Sequence, residues 1–204
     1  MVNPVDPEHY YSEKPKSQLR FGLVHTCLHG KPFEFITASS VFSVKRIDLG
    51  TRVLIENMIL PETGCVLDVG CGYGAVGIAV AKLNPKLHVV LTDVNRRAIL
   101  LARQNAEKNR ACNVEVKQGS LYTPVKQFCF DAILSNPPLS AGMETVKAII
   151  QTAPEVMATR ATFQMVVRSK IGKKTLPQVF LETFGNSKIL AIESGYRVLM
   201  AEKQ

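Results

Sequence analysis

The sequence predicts an α/β fold: a doubly wound, seven-stranded, mostly parallel sheet closed by a C-terminal antiparallel hairpin, with a small strand and helix extension at the N-terminus. Three observations predict it. From Cys65 onward, short apolar runs alternate with segments whose apolar residues recur at helical spacing. The first of those runs, Val66-Leu67-Asp68-Val69, leads into a glycine-rich turn, Gly70-Cys71-Gly72-Tyr73-Gly74. The last two runs are joined only by Glu193-Ser194-Gly195, too short for a crossover helix, so they must pair antiparallel.

Taken in order, residues 1 to about 18 are rich in Pro, Lys, Ser and Tyr and read as an irregular arm. Phe21–His29 and Phe33–Thr37 alternate apolar and polar residues and predict two hairpin strands turning at Gly30-Lys31-Pro32. Asp48 is placed to cap a helix running to about Ile59, before Pro61-Glu62-Thr63-Gly64 breaks the pattern. Residues 1–45 are thus read as an arm and small β extension, and 46–204 as the main domain. Within the latter, strands are predicted over Val66–Val69, His88–Asp93, Asn113–Lys117, Asp131–Ser135 and Ala161–Val167. Helices are predicted from about Ala75, from Asn95 to Asn109, over Met143–Ala158 with Pro154 as a point of interruption, and over Lys173–Phe184. The last ends at Gly185, which suits a left-handed cap. Ser187–Ile192 and Tyr196–Ala201 form the closing hairpin.

With 204 residues the chain supports one sizeable core. It carries a net charge of +8, nearly all of it after residue 60, where 18 basic residues face 11 acidic ones. That excess favours a polyanionic partner, RNA first. No apolar run approaches a membrane span and no signal peptide opens the chain, so a cytoplasmic protein without membrane association is expected. Five scattered cysteines with no C-x-x-C pair read as reduced thiols. His25, Cys27 and His29 lack a fourth ligand and are read as structural, so no metal is expected.

In a doubly wound sheet, ligands bind beyond the carboxyl ends of the strands where the winding reverses, beside the strand that carries Gly70, Gly72 and Gly74. Glycines there allow positive φ and let backbone N–H groups approach an anion, which the next helix N-terminus also favours. Gly72 to Gly77 match the G-x-G-x-x-G of dinucleotide sites, and Asp93 falls where a ribose would be held. Asp68, two residues before Gly70, argues instead for a ligand that bears an amino group, such as the methionine part of S-adenosylmethionine. Asp93 then accepts from the two ribose hydroxyls, with Val94 beside it, and Ser120-Leu121 borders the adenine.

The second chemical signal is Ser135-Asn136-Pro137-Pro138, at the end of the strand predicted next to the glycine turn. Proline bars the α region for the residue before it, so Asn136 and Pro137 are both held extended. The Asn136 carboxamide oxygen and the Pro137 carbonyl can then accept both hydrogens of a planar amine. Acceptors placed for a pyramidal nitrogen stabilise the reacting geometry more than the resting one.

On Asp68–Gly74 and Asn136–Pro138, with His9-Tyr10-Tyr11-Ser12, Phe35-Ile36-Thr37, Val41-Phe42-Ser43 and Gly195-Tyr196-Arg197-Val198, the chain resembles the methyltransferase small domain proteins over nearly its full length. This class I group includes bacterial 16S rRNA guanine-N2 methyltransferases and compact archaeal relatives. Its members usually carry Asp where this chain has Ser120, and Gly where it has Ser40. The resemblance implies S-adenosylmethionine as cofactor, with Cys71 and Tyr73 also in the cofactor turn. It further implies transfer to an exocyclic amine of RNA (rRNA or tRNA), guanine N2 being favoured. Enzymes acting on adenine N6, cytosine N4 or protein glutamine usually place Tyr or Phe after Asn-Pro-Pro, whereas this chain has Leu139. Phe42 is then a candidate stacking partner for a flipped base. Arg168, Lys170, Lys173 and Lys174, after the fifth strand, are expected to meet phosphates. A protein-glutamine or adenine-N6 methyltransferase, an RNA-binding module without transfer and a nicotinamide enzyme are the competing readings.

Overall fold

The computed structural model describes residues 18, 20–41, 43 and 45–204. The arm up to residue 17, the His9–Ser12 motif and Phe42 lie outside the described residues, and so does the side chain of Leu139.

Strands β1 (Phe21–Leu28) and β2 (Lys31–Ala38) form an antiparallel hairpin whose two-residue turn is His29-Gly30. The sequence put the turn at Gly30-Lys31-Pro32. Instead both turn residues take positive φ, 45° and 71°, which matches the twist of the flanking strands and draws Lys31 and Pro32 into β2. His29 is held there by its N–H to Glu56 Oε1 at 3.1 Å and its ring to the Ile55 carbonyl. The other hairpin imidazole, His25, pairs with Glu34 on the facing strand at 3.0 Å.

Helix α1 (Leu49–Asn57) starts at Asp48, whose side chain accepts the Thr51 N–H as expected of an N-cap. It stops two residues short of Ile59 for a tertiary reason. The buried Gln164 takes both backbone groups of Ile59, accepting its N–H at 2.8 Å and donating to its carbonyl.

The main sheet has seven strands: β3 (Gly64–Val69), β4 (Leu87–Asp93), β5 (Val114–Gln118), β6 (Phe130–Ser135), β7 (Met157–Arg168), β8 (Lys188–Glu193) and β9 (Tyr196–Glu202). Their order is β5-β4-β3-β6-β7-β9-β8; the first five run parallel, and β9 lies antiparallel to both β7 and β8. This is the doubly wound sheet with a closing hairpin that the sequence predicted. Alternate strand residues feed opposite faces. Val66, Leu91 and Leu134 pack with α1, α2 (Ala75–Leu83), α3 (Arg96–Lys108) and the β1–β2 hairpin. Leu67, Val90, Ile133 and Phe163 pack with α4 (Met143–Thr152) and α5 (Thr175–Phe184).

Predicted boundaries also move at the end of α4 and the starts of β7 and α5. The helix expected over Met143–Ala158 ends at Thr152, a 3₁₀ turn follows over Ala153–Val156, and Met157 already belongs to β7. Pro154 cannot continue the hydrogen-bond ladder, so the chain leaves the helix there. β7 therefore begins four residues before the expected Ala161, and its first part bulges, pairing Met157 with Phe130 and Thr162 with Ala132. The last helix begins at Thr175 rather than Lys173, so Lys173 and Lys174 occupy the preceding turn; its end at Gly185, φ 74°, is as predicted.

Candidate functional site

The sheet reverses its winding between β3 and β6, and a cavity of about 330 Å³ opens at their carboxyl ends. Three loops build its walls.

The first follows β3. The N–H groups of Gly70 and Cys71 both donate to the Thr92 carbonyl at 2.9 Å, which bends the chain back over the end of β4. Gly72, at φ 56°, turns its N–H onto Asp93 Oδ2 at 2.8 Å. An added Cβ at Gly72 would meet nothing within 4 Å, so the conformation rather than crowding requires glycine there. Gly77 in α2 is different: a Cβ would lie 2.5 Å from Leu91 Cδ1, and its absence lets α2 settle onto β4.

Two carboxylates, Asp68 buried and Asp93 half-buried, stand behind this turn. Asp68 accepts the Gly77 N–H at 2.8 Å. Burial pushes its carboxyl up to about 7, against the pull of that N–H and with the help of the Asp93 charge. Asp93 is also raised by burial and is drawn back by the N–H groups of Asn95, Gly72 and Val94. Asn95, not Asp93, caps α3, accepting from Arg97 and Ala98. Thr92 is buried on the cavity wall with an Oγ1 that finds no partner among the described residues.

The second loop, after β5, brings Gly119, Ser120 and Leu121 to the wall, anchored by the Gly119 N–H on the Asp93 carbonyl. The third follows β6. Ser135 Oγ donates to the Val69 carbonyl and ties the ends of β6 and β3 together at the switch point. Asn136, Pro137 and Pro138 follow on the cavity wall, and the Pro138 carbonyl accepts the Ala141 N–H at 2.8 Å. The Asn136 carboxamide nitrogen donates to Oδ2 of Asp48, the N-cap of α1, at 3.2 Å and to Oγ1 of Thr51, in its first turn, at 2.9 Å. Its oxygen has no partner among the described residues.

A family model of the methyltransferase small domain matches residues 32–200. The chain belongs to that family. It is 36% identical over 198 residues to the uncharacterized protein YbxB of Bacillus subtilis (strain 168), covering 96% of this chain and 98% of that one. It is 31% identical over 169 residues to ribosomal RNA small subunit methyltransferase C of Shigella flexneri serotype 5b, covering 81% of this chain. That match spans about half, 48%, of the length of the Shigella protein. The fold is shared with a solved T. thermophilus 16S rRNA N2 methyltransferase (RsmC) in complex with AdoMet and guanosine. The TM-score there is 0.82 at 23% identity, over 93% of this chain and 52% of that one.

Family membership makes this a methyltransferase that uses S-adenosylmethionine. The residues fit that cofactor. The wall combines two carboxylates, an unpartnered buried hydroxyl and an open glycine turn at a helix N-terminus, and the volume lies within the ~300–1,000 Å³ of small-molecule sites. Of the residues singled out from the sequence, Asp68, Gly70, Cys71, Gly72, Tyr73, Asp93, Val94, Ser120, Leu121, Asn136, Pro137 and Pro138 share this one cavity. Gly74 sits beneath it, packed toward Ile78 and Leu91. Arg168, Lys170, Lys173 and Lys174 are exposed and do not line it. Arg168, expected after the strand, is the last residue of β7, paired with Tyr196 of β9; the three lysines follow on a loop whose Ile171, Gly172 and Lys173 carbonyls accept from the buried Arg197 guanidinium. Sequence reasoning missed Thr92, Val41, Thr51, Thr145 and Ile149 on the wall. Thr92 had a usable signal as the polar residue next to Asp93; the others reach the site only through tertiary packing.

Among the described residues no helix is long and apolar enough to cross a membrane.

Proposed function

We propose that this protein transfers the methyl group of S-adenosylmethionine to an exocyclic amino nitrogen of a base in structured RNA, guanine N2 of ribosomal RNA being the favoured acceptor. The observation that carries the reading is the Asn136 carboxamide on the cavity wall, its nitrogen turned to Asp48 and Thr51 and its oxygen left as an acceptor.

In this reading Asp68 receives the amino end of the cofactor, Asp93 the ribose hydroxyls, and Val94, Ser120 and Leu121 the adenine side. Gly70, Cys71, Gly72 and Tyr73 form the backbone cradle, with Gly74 starting α2. Asn136 Oδ1 and the Pro137 carbonyl accept the two hydrogens of the incoming amine, and Pro138 keeps that turn rigid. An amine conjugated to a ring is a weak nucleophile, so acceptors aimed at its pyramidal form lower the barrier selectively. When bound, the cofactor supplies an activated methyl group whose carbon–sulfur bond breaks as the nitrogen lone pair attacks; the surplus proton on nitrogen leaves to water. Phe42 and Leu139 belong to the proposed base pocket by sequence position.

RNA as the acceptor is supported by the +8 net charge, by the exposed Arg168, Lys170, Lys173 and Lys174 at and beyond the end of β7, and by the names of the ribosomal RNA methyltransferase relatives. Guanine N2 is favoured by Leu139 in place of an aromatic residue and by the guanosine-bound structural neighbour. Such a substrate places the protein in the cytoplasm.

The test is Asn136→Ala assayed with tritiated S-adenosylmethionine and total RNA from cells deleted for the gene. Cofactor affinity stays near that of the unaltered protein and turnover falls by ~10²–10³. Turnover at the unaltered level overturns the assignment.

A further inference from the structure

Asp48 caps α1 and Thr51 lies in its first turn, far in sequence from the Asn-Pro-Pro turn, yet both meet its carboxamide. Asp48 Oδ2 accepts two N–H groups: the Thr51 backbone at 3.2 Å, which caps the helix, and Asn136 Nδ2 at 3.2 Å. Thr51 Oγ1 takes the other hydrogen of Asn136 Nδ2 at 2.9 Å.

A carboxamide has nearly the same shape either way round, so something must decide which end faces the cavity. A hydroxyl does not decide it, because it can donate as well as accept. A carboxylate does, because it only accepts; only Nδ2 can face Asp48. With both of its hydrogens taken by α1, the polar capacity that Asn136 has left is the acceptor capacity of Oδ1. The bond to the Asp48 carboxylate also polarises the amide and draws negative charge onto Oδ1. That is the sign needed opposite an amine that becomes positive as it reacts.

The surroundings leave Asp48 little freedom. Gly50 sits so close that an added Cβ would lie 2.9 Å from Asp48 Oδ2 and 2.7 Å from Tyr196 Cε1 of β9. Asp48 is therefore seated in the angle between the first turn of α1 and the closing hairpin.

We propose that Asp48 and Thr51 are positioning residues for methyl transfer: they hold the Asn136 carboxamide with its nitrogen away from the acceptor amine and its oxygen toward it. The proposal rests on the reading of Asn136 as the amine acceptor.

The experiment must separate this role from helix capping. Serine caps a helix about as well as aspartate but, as a hydroxyl, does not fix the amide. Asp48→Ser, Thr51→Val, Thr51→Ser and Asn136→Ala are compared singly, and the first two also in the Asn136→Ala background. The probes are tritiated S-adenosylmethionine and RNA from the deletion strain. Asp48→Ser lowers kcat by ~10–100-fold with cofactor affinity within about threefold, Thr51→Val lowers kcat less, and Thr51→Ser restores it. In the Asn136→Ala background neither substitution lowers kcat further, because the group they orient is gone. If both leave kcat at the unaltered level while Asn136→Ala loses turnover, the positioning role is overturned and the role of Asn136 stands. Losses that multiply in the Asn136→Ala background also overturn it. If Asn136→Ala itself turns over normally, both readings fall. Should Asp48→Ser not fold, Thr51→Val alone decides by the same comparison.

Discussion

Asn105 of α3 holds Ile36 of β2 by both backbone groups, accepting its N–H at 2.7 Å and donating to its carbonyl at 2.9 Å, and the same Nδ2 donates to the Tyr73 carbonyl. One turn later Asn109 repeats the arrangement on Glu34. The two carboxamides serve the free edge of β2 as a third strand would, and Asn105 joins that edge to the cofactor turn.

Asn105 is fully buried, and its loss leaves three backbone groups without their partner, the Tyr73 carbonyl in the interior and the half-buried N–H and carbonyl of Ile36. Asn105→Ala is expected to cost roughly 3 kcal/mol in urea unfolding. It also weakens S-adenosylmethionine binding, because Tyr73 loses its anchor. Asn109→Ala lies farther from the turn and lowers stability without that effect on the cofactor.

The raised carboxyl of Asp68 predicts a pH dependence whose sign can be worked out. Burial moves it from 3.8 to about 7, so between these values the folded protein holds a proton that the unfolded chain has released. Its contribution to the stability of the ligand-free protein therefore falls as pH rises from about 4 to about 7. An ammonium group beside it reverses the preference by favouring the carboxylate. S-adenosylmethionine affinity, measured by calorimetry, is expected to rise about tenfold from pH 5.5 to 7, a range in which an α-amino group stays protonated. Asp68→Asn removes most of that slope, and an unchanged slope would show that Asp68 is not the titrating group.

The basic loop after β7 predicts a separation of RNA affinity from cofactor affinity. Lys170, Lys173 and Lys174 do not line the cavity. Replacing them by Gln leaves S-adenosylmethionine binding unchanged, weakens RNA binding, and reduces the slope of log affinity against log salt by about 0.7–0.9 for each phosphate that is no longer neutralised. Arg197→Met is expected to weaken RNA binding through the loop it supports, since three carbonyls lose their donor.

How much of this was legible in the sequence depends on how local each cause is. Gly72 and Asp93 could be read because their spacing is fixed by one strand, turn and helix unit, and the structure joins them at 2.8 Å. The closing hairpin followed from the length of Glu193–Gly195. The early end of α1 could not be read, because Ile59 leaves the helix to meet Gln164, 105 residues away. Asp48 illustrates both cases. Its cap to Thr51 is written in neighbouring residues, while its bond to Asn136 spans 88. The roles of Asn105 and Asn109 could not be read either, because their partners in β2 lie 69 and 75 residues away.

The most direct measurement of the central claim is the identity of the labelled nucleoside. The purified protein is incubated with tritiated S-adenosylmethionine and total RNA from cells lacking it, and the RNA is digested and separated by liquid chromatography. The account predicts label in N2-methylguanosine, lost with Asn136→Ala. Label in N6-methyladenosine, in protein, or nowhere would contradict it.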